Sequence, residues 1–132
     1  MTDNIDKIRE FFAEDKFATA TTGIEIEEAE DGYSRCLLKL NDNHKNLFGD
    51  VMGGVLFTLA DFAFAVATNS PGHYTTTLSS EIRYLTRAKG DHLYAECHVV
   101  KDGEHACFAD VVITDGLDRK AALVSVSGLH LS

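Results

Sequence analysis

One carboxylate stands out by the company it keeps. Asp61 lies between Leu59-Ala60 and Phe62-Ala63-Phe64, and the stretch from Val51 to Ala67 holds no other charge. An ionised carboxylate left unpartnered in apolar surroundings is costly, so such a residue is either paired or functional. A structural Asp bonded to a buried hydroxyl or cation fits this setting, and so does a catalytic carboxylate with a perturbed pKa. The second feature is Gly53-Gly54, upstream in the same segment. The first N–H groups of a helix lack intrahelical partners, and the helix dipole adds positive potential there. Residues without side chains let a ligand reach those groups, which suits an oxyanion or a phosphate. No Gly-Lys-Ser/Thr follows, which excludes a P-loop. A tight loop-to-helix turn would also account for the pair.

The spacing of the two features has a geometric consequence. Eight residues of helix separate Gly53 from Asp61 by about 12 Å, so one chain does not easily bring both to the same carbonyl carbon. Two such helices, antiparallel across a twofold axis, would set the glycine end of one beside the Asp of the other. The spacing therefore predicts a composite site at a dimer interface, with two sites per dimer.

The surrounding sequence supplies the elements. Ile5, Ile8, Phe11 and Phe12 recur at helical spacing, with Thr2 or Asp3 as N-cap, and predict a short opening helix within residues 1–18. Ile24 and Ile26 alternate with Glu25 and Glu27, and Asp31-Gly32 precedes Tyr33 to Leu40, a β-hairpin pattern. The acids Glu27, Glu28, Glu30 and Asp31 read as a solvated strand end. Residues 41–50 are loop formers, and the segment after Gly53-Gly54 reads as a helix buried nearly all round, ending at Ser70-Pro71-Gly72. Strand-like segments follow near 75–86, 92–101, 105–114 and 120–131, broken at Gly90-Asp91, Asp102-Gly103 and Asp115-Gly116, and such short connections imply antiparallel neighbours. The expectation is an α+β chain forming one domain over residues 1–132, with a core from 19 to 132. About six antiparallel strands would cover one long apolar helix.

Composition narrows the function classes. The net charge of −9 disfavours nucleic-acid binding, and a phosphorylated ligand would need a local basic patch. Val51–Ala67 is short for a membrane span and carries a central carboxylate, so no membrane role is expected. Cys36, Cys97 and Cys107 form no C-x-x-C pair and no zinc spacing with His, which predicts free thiols, a reducing cytoplasmic location and no metal site. Cys97 and His98 would point to opposite faces of a strand and are not a nucleophile–base pair.

The segment HKNLFGDVMGGVLFTLADFAFAVATNSPG resembles the signature of hot-dog acyl-CoA thioesterases of the phenylacetic-acid-degradation (PaaI-like) type, N-x-x-G-x-x-H-G-G-x-x-x-x-L-x-D. Asn46, the three glycines, Leu59 and Asp61 all keep their spacing, and the likeness runs on to the closing strand. The resemblance implies the hot-dog fold, a homodimer or homotetramer, and hydrolysis of aromatic or medium-chain acyl-CoA without a cofactor. It implies Asp61 as general base or nucleophile, Gly53 as the N–H donor to the thioester carbonyl, and Asn46 as an orienting group. It places a water-holding hydroxyl at Thr77, with Thr76 and Ser79 as alternatives. Met52 stands where the family has His, and His44 is a candidate substitute. Met52, Gly54, Phe57 and Phe64 are expected to meet the substrate, and Arg87 and Lys89 its phosphates, with Lys101, Arg119 and Lys120 behind them. The Met52 departure leaves a non-catalytic acyl-CoA or fatty-acid binding protein as the alternative; a hydratase would normally need the missing His.

Overall fold

The computed structural model describes residues 2–132, with side chains from residue 4 onward. The capping role read at Thr2 or Asp3 rests on side chains outside the described residues. Helix α1 runs over Thr2–Phe12, and a separate π-helical turn covers Phe17–Thr22. The opening helix is therefore shorter than residues 1–18 suggested. It breaks at a local turn, and the chain rewinds before leaving through Gly23 at φ 93°. Arg9 Nε donates to the Ile26 carbonyl at 2.8 Å and Phe12 packs edge-on to Phe62, so α1 is fixed to the core.

Strands β1 (Glu25–Glu30) and β2 (Tyr33–Lys39) form the expected hairpin. Glu27 is not simply solvated; it shares the half-buried Arg35 with Glu96. After a short 3-10 turn at Asp42–His44 comes α2 (Gly53–Thr68), then β3 (Thr75–Tyr84), β4 (His92–Asp102), β5 (Ala106–Asp115) and β6 (Lys120–His130). The six strands make one antiparallel sheet in the order β1-β2-β4-β5-β6-β3. The sheet's inner face closes on α2 around Leu38, Leu59, Phe64, Leu93 and Ile113, all buried. Ser34 donates to the Ala63 carbonyl at 2.6 Å and ties helix to sheet where no water can reach.

Two expectations are corrected here. The short connection after β3 does not make β3 and β4 neighbours. Residues 85–91 instead cross the end of the sheet, so that β3 pairs with β6 and β4 with β2. The crossing is held by the fully buried Asp115. Its carboxylate accepts from the Lys89, Leu117 and Arg119 N–H groups and from the Arg119 guanidinium, whose other contact is the Arg87 carbonyl. Gly90 and Gly116 meet backbone to backbone at the crossing; a Cβ on Gly90 would lie 2.6 Å from the Gly116 Cα. Burial alone would raise the Asp115 pKa, but the Arg119 bonds and three backbone donors outweigh it and hold the pKa down at about 2.

The second correction concerns α2, which is not buried all round. Gly54, Phe57 and Asp61 are exposed in the single chain, with Ala65 half-buried on the same line. Among the described residues, no helix is long and apolar enough to cross a membrane.

Candidate active site

Asp61 sits on that open stripe, midway along α2, at the wall of a 750 Å³ cavity bounded by the N-terminal helix and by β3. Two turns of apolar helix on either side leave it no neighbouring charge on α2, and its one side-chain partner comes from the sheet. Thr77 Oγ1 donates to Asp61 Oδ1 at 3.4 Å, a long bond at the edge of hydrogen-bond range. Thr76 is half-buried and Ser79 exposed, and neither reaches the carboxylate among the hydrogen bonds of the described residues. A register shift between Thr77 and Ser79 in the β3–β6 ladder sets Thr77 at a local bend of the strand.

The Asp61 carboxyl keeps solvent access, yet the protein around it desolvates it enough to raise its pKa. The Thr77 hydroxyl opposes that rise, and the negative charge of Asp15 adds to it. The group is thus a carboxylate made more basic than usual, beside a hydroxyl, facing a cavity. That is the environment of a general base or a carboxylate nucleophile.

The helix start answers a question that the sequence left open. A Cβ on Gly53 would lie 3.0 Å from Tyr84 Oη and 3.1 Å from its Cζ, whereas nothing lies within 4 Å of a Cβ on Gly54. Gly53 is small because the Tyr84 ring crosses it, with Tyr84 Oη donating to the Gly53 carbonyl at 2.8 Å. Gly54 is the residue with open space. No side chain caps α2 at Met52, and the Val55 N–H turns back to the Met52 carbonyl at 2.9 Å, so among the described residues the first-turn N–H groups left without a partner are those of Gly53 and Gly54. Tyr84 has no sequence signature for this role beyond its place at the end of a strand; only the fold shows that this strand end passes over the helix start.

Other candidates divide. Asn46 points its Oδ1 back to the Phe48 and Asp50 N–H groups at 2.9 and 3.1 Å and shapes the loop into α2. Met52 and Phe57 are exposed. Phe64 was expected to meet substrate. It borders the cavity but is 1% exposed, with its ring tip against Gly128, so it fills the core. His44 is neither a free loop histidine nor a substitute for the missing His. It is buried, its Nδ1 accepts from the Asn41 N–H and its Nε2 bonds the Thr22 carbonyl at 2.7 Å. Arg87 is exposed with Asp50 at 3.8 Å, and Lys89 is exposed on the crossing, its backbone N–H held by Asp115. Arg119 is engaged with Asp115 and is not available as a phosphate contact. Cys97 is buried and His98 exposed, on opposite faces as expected, and all three cysteines are free and buried.

Strand pairing also assembles a group that sequence spacing hides. Asp102, Cys107 and His130 bring their ligand atoms within 4.8 Å of one another at one end of the sheet. Both ring nitrogens of His130 are already occupied, by Asp102 Oδ1 and Thr75 Oγ1 at 2.7 Å each. That grouping reads as a hydrogen-bonded closure of the sheet end, apart from the Asp61 carboxylate.

Over residues 48–122 the sequence matches the Thioesterase superfamily model. The chain belongs to the thioesterase superfamily. It is 30% identical over 102 residues to the acyl-coenzyme A thioesterase PaaI of Escherichia coli (strain K12), covering 76% of this chain and 73% of that protein. The structure of the E. coli PaaI protein superposes with a TM-score of 0.87 at 25% identity, over 96% of this chain and 92% of that one. A hypothetical thioesterase from Streptococcus pneumoniae TIGR4, solved with coenzyme A, gives 0.83 at 28% identity over 92% and 97% of the two chains. Among curated proteins, a putative esterase of Archaeoglobus fulgidus is 28% identical over 120 residues, 90% of this chain and 78% of that protein. The architecture described above is thus the hot-dog fold, and the chain is a thioester hydrolase of that fold.

Proposed function

We propose that the protein hydrolyses acyl-CoA to free acid and CoA, with Asp61 as the central catalytic group. The observation that carries this reading is the Asp61–Thr77 pair, a carboxylate of raised basicity with a hydroxyl 3.4 Å away on a cavity wall. Thr77 holds a water, Asp61 takes its proton as the water oxygen attacks the thioester carbon, and the C–S bond then breaks, the CoA thiolate leaving with the proton that Asp61 returns. Direct attack by the carboxylate is the nucleophilic variant of the same geometry. The carbonyl oxygen is met by the first-turn N–H groups of α2, at Gly53 and beside the open Gly54. Such donors are typically worth about 3–4 kcal/mol. These groups lie about 12 Å from Asp61 on the same helix, so the donors at each site come from a second copy.

The surface supports that second copy. β3 is an edge strand, bonded only to β6, and Leu78 and Tyr84 on it are exposed together with Phe57 on α2. A free strand edge flanked by apolar side chains invites pairing with another chain. The assembly is a homodimer, or a tetramer of two such dimers, with Asn46 and Met52 flanking each α2 start. Arg87 and Lys89, on the crossing beside that start, are the cations offered to the CoA phosphates. The three free thiols suit a reducing, cytoplasmic setting. The exposed Met52 in the His position is the feature that favours the binding-protein alternative. Turnover decides between them: free-CoA release by the wild type that collapses in Asp61→Asn supports hydrolysis, and tight binding without release supports the alternative.

A further inference from the structure

The cavity at Asp61 does not end at the catalytic pair. Phe11, Phe12, Asn69, Ser70 and His73 bound it, and the same five residues line a second cavity of 470 Å³ between α1 and the C-terminal end of α2. Ile8, Ala29, Val66 and Pro71 add apolar wall to this second space. Both volumes fall in the range of small-molecule sites, and nothing in the hydrolytic geometry uses the second. Its lining carries Glu30, Asp31 and Asp102 against the single ammonium of Lys7. The Asp61 cavity is acidic as well, with Glu14 and Asp15 on its wall, so the CoA phosphates belong outside both, at Arg87 and Lys89, and only an uncharged tail runs inward.

We propose that the second cavity is an acyl-chain chamber, and that it makes this enzyme select straight-chain acyl groups of about ten carbons or more over short or aryl ones. The inference rests on the acyl-CoA reading and adds the substrate class to it. Length supports the choice. Asp61 and Asn69 are eight residues apart on α2, about 12 Å. Bonds of 1.5 Å in an extended zigzag advance about 1.25 Å each, so a chain reacting at Asp61 passes Asn69 after roughly ten carbons. A phenylacetyl group stops short of the chamber. Each methylene moved from water into it raises kcat/KM about fourfold. Phe11 and Phe12, edge-on with ring centroids 5.1 Å apart, line both cavities and stand where the two meet. Phe12 is locked against Phe62, while Phe11 is 43% exposed and can turn. Phe11 is therefore the movable side of the entrance, and α1, fixed to β1 through Arg9, is the roof.

The test compares hexanoyl-, decanoyl-, dodecanoyl- and phenylacetyl-CoA in the full-length wild type and in two chamber-filling variants, Ala29→Phe and Ile8→Trp. The readout is the dodecanoyl-to-hexanoyl ratio of kcat/KM, which cancels any general loss of folded enzyme. The wild type should favour dodecanoyl over hexanoyl and phenylacetyl, and each filling variant should lower the ratio about tenfold or more. A ratio unmoved in both variants overturns the chamber while hydrolysis stands, and so does a wild type that prefers phenylacetyl-CoA. Should no acyl-CoA turn over, the hydrolytic reading falls and calorimetry with the thioethers dodecyl-CoA and hexyl-CoA decides the chamber. Tighter dodecyl binding in the wild type, absent from the variants, supports it; equal affinities refute it.

Discussion

Replacing Asp115 by Asn should loosen the whole crossing from β3 to β4. In the wild type one carboxylate oxygen accepts from the Leu117 and Arg119 N–H groups at 3.0 and 3.1 Å. The other accepts from the Lys89 N–H at 3.0 Å and from Arg119 Nε and Nη2 at 3.1 and 2.7 Å. An amide keeps one oxygen and turns an NH2 toward donors. If the oxygen stays on Leu117 and Arg119, the Lys89 N–H and the guanidinium lose their acceptor. Unpairing a buried donor costs about 1–3 kcal/mol, and breaking a buried ion pair about 3–5 kcal/mol. Arg119 is 42% exposed and can turn to water, so the expected loss is nearer the lower bound, about 3 kcal/mol. For a chain of this size that lowers Tm by about 10 °C. Urea unfolding should show a lower midpoint at unchanged m, with faster amide exchange at Lys89 and at Gly116, which donates to the Lys89 carbonyl. The difference should also depend on pH. The folded pKa is about 2, below the unfolded value of about 3.9. The carboxylate's contribution is therefore present above about pH 4 and lost as pH falls through about 2, where the two proteins converge. A stability within about 0.5 kcal/mol of wild type at pH 7 would refute the anchoring role.

Three further outcomes follow from the site. The raised Asp61 pKa moves the acid limb of kcat/KM upward from the ordinary Asp value, and Thr77→Val should move it higher still, because the lost hydroxyl was lowering that pKa; an unmoved limb would detach Thr77 from Asp61. Gly53→Ala should displace the Tyr84 ring and reduce kcat, whereas Gly54→Ala should fold with Tyr84 in place; circular dichroism and kinetics on the two side by side check this, and equal behaviour would contradict it. His44→Phe should cost about 2 kcal/mol through two lost hydrogen bonds without changing kcat, measured by urea unfolding and steady-state assay.

Much of this molecule was legible because its signals are local. Alternation in Ile24–Ile26 and the Asp31-Gly32 turn fixed the first hairpin, and the four later strands fall within a few residues of their expected bounds. Asp61 stands out by its apolar neighbours and Thr77 by the family likeness of its strand, while their contact shows only in the fold. What stayed hidden depends on pairing across the sheet. No local pattern says that β3 leaves β4 for the far edge beside β6, so the anchoring by Asp115 looked like an ordinary Asp-Gly turn. For the same reason the tyrosine from the end of β3 that lies across Gly53 stayed hidden. Hydropathy gave α2 as buried nearly all round, because Gly54, Phe57 and Ala65 carry no charge and Asp61 alone marks the face that the protomer leaves open. His44 read as a loop residue because its partner, the Thr22 carbonyl, is backbone far away in sequence and carries no residue signature.

The central claim is that Asp61 drives hydrolysis of an acyl-CoA thioester, and free-CoA release followed by mass tests it most directly, using wild type and Asp61→Asn on one panel of substrates. Detection by mass reads CoA and the free acid directly. Turnover by the wild type with a loss of about a hundredfold or more in the variant, which stays folded, is the predicted result. Equal turnover by the two proteins would contradict it.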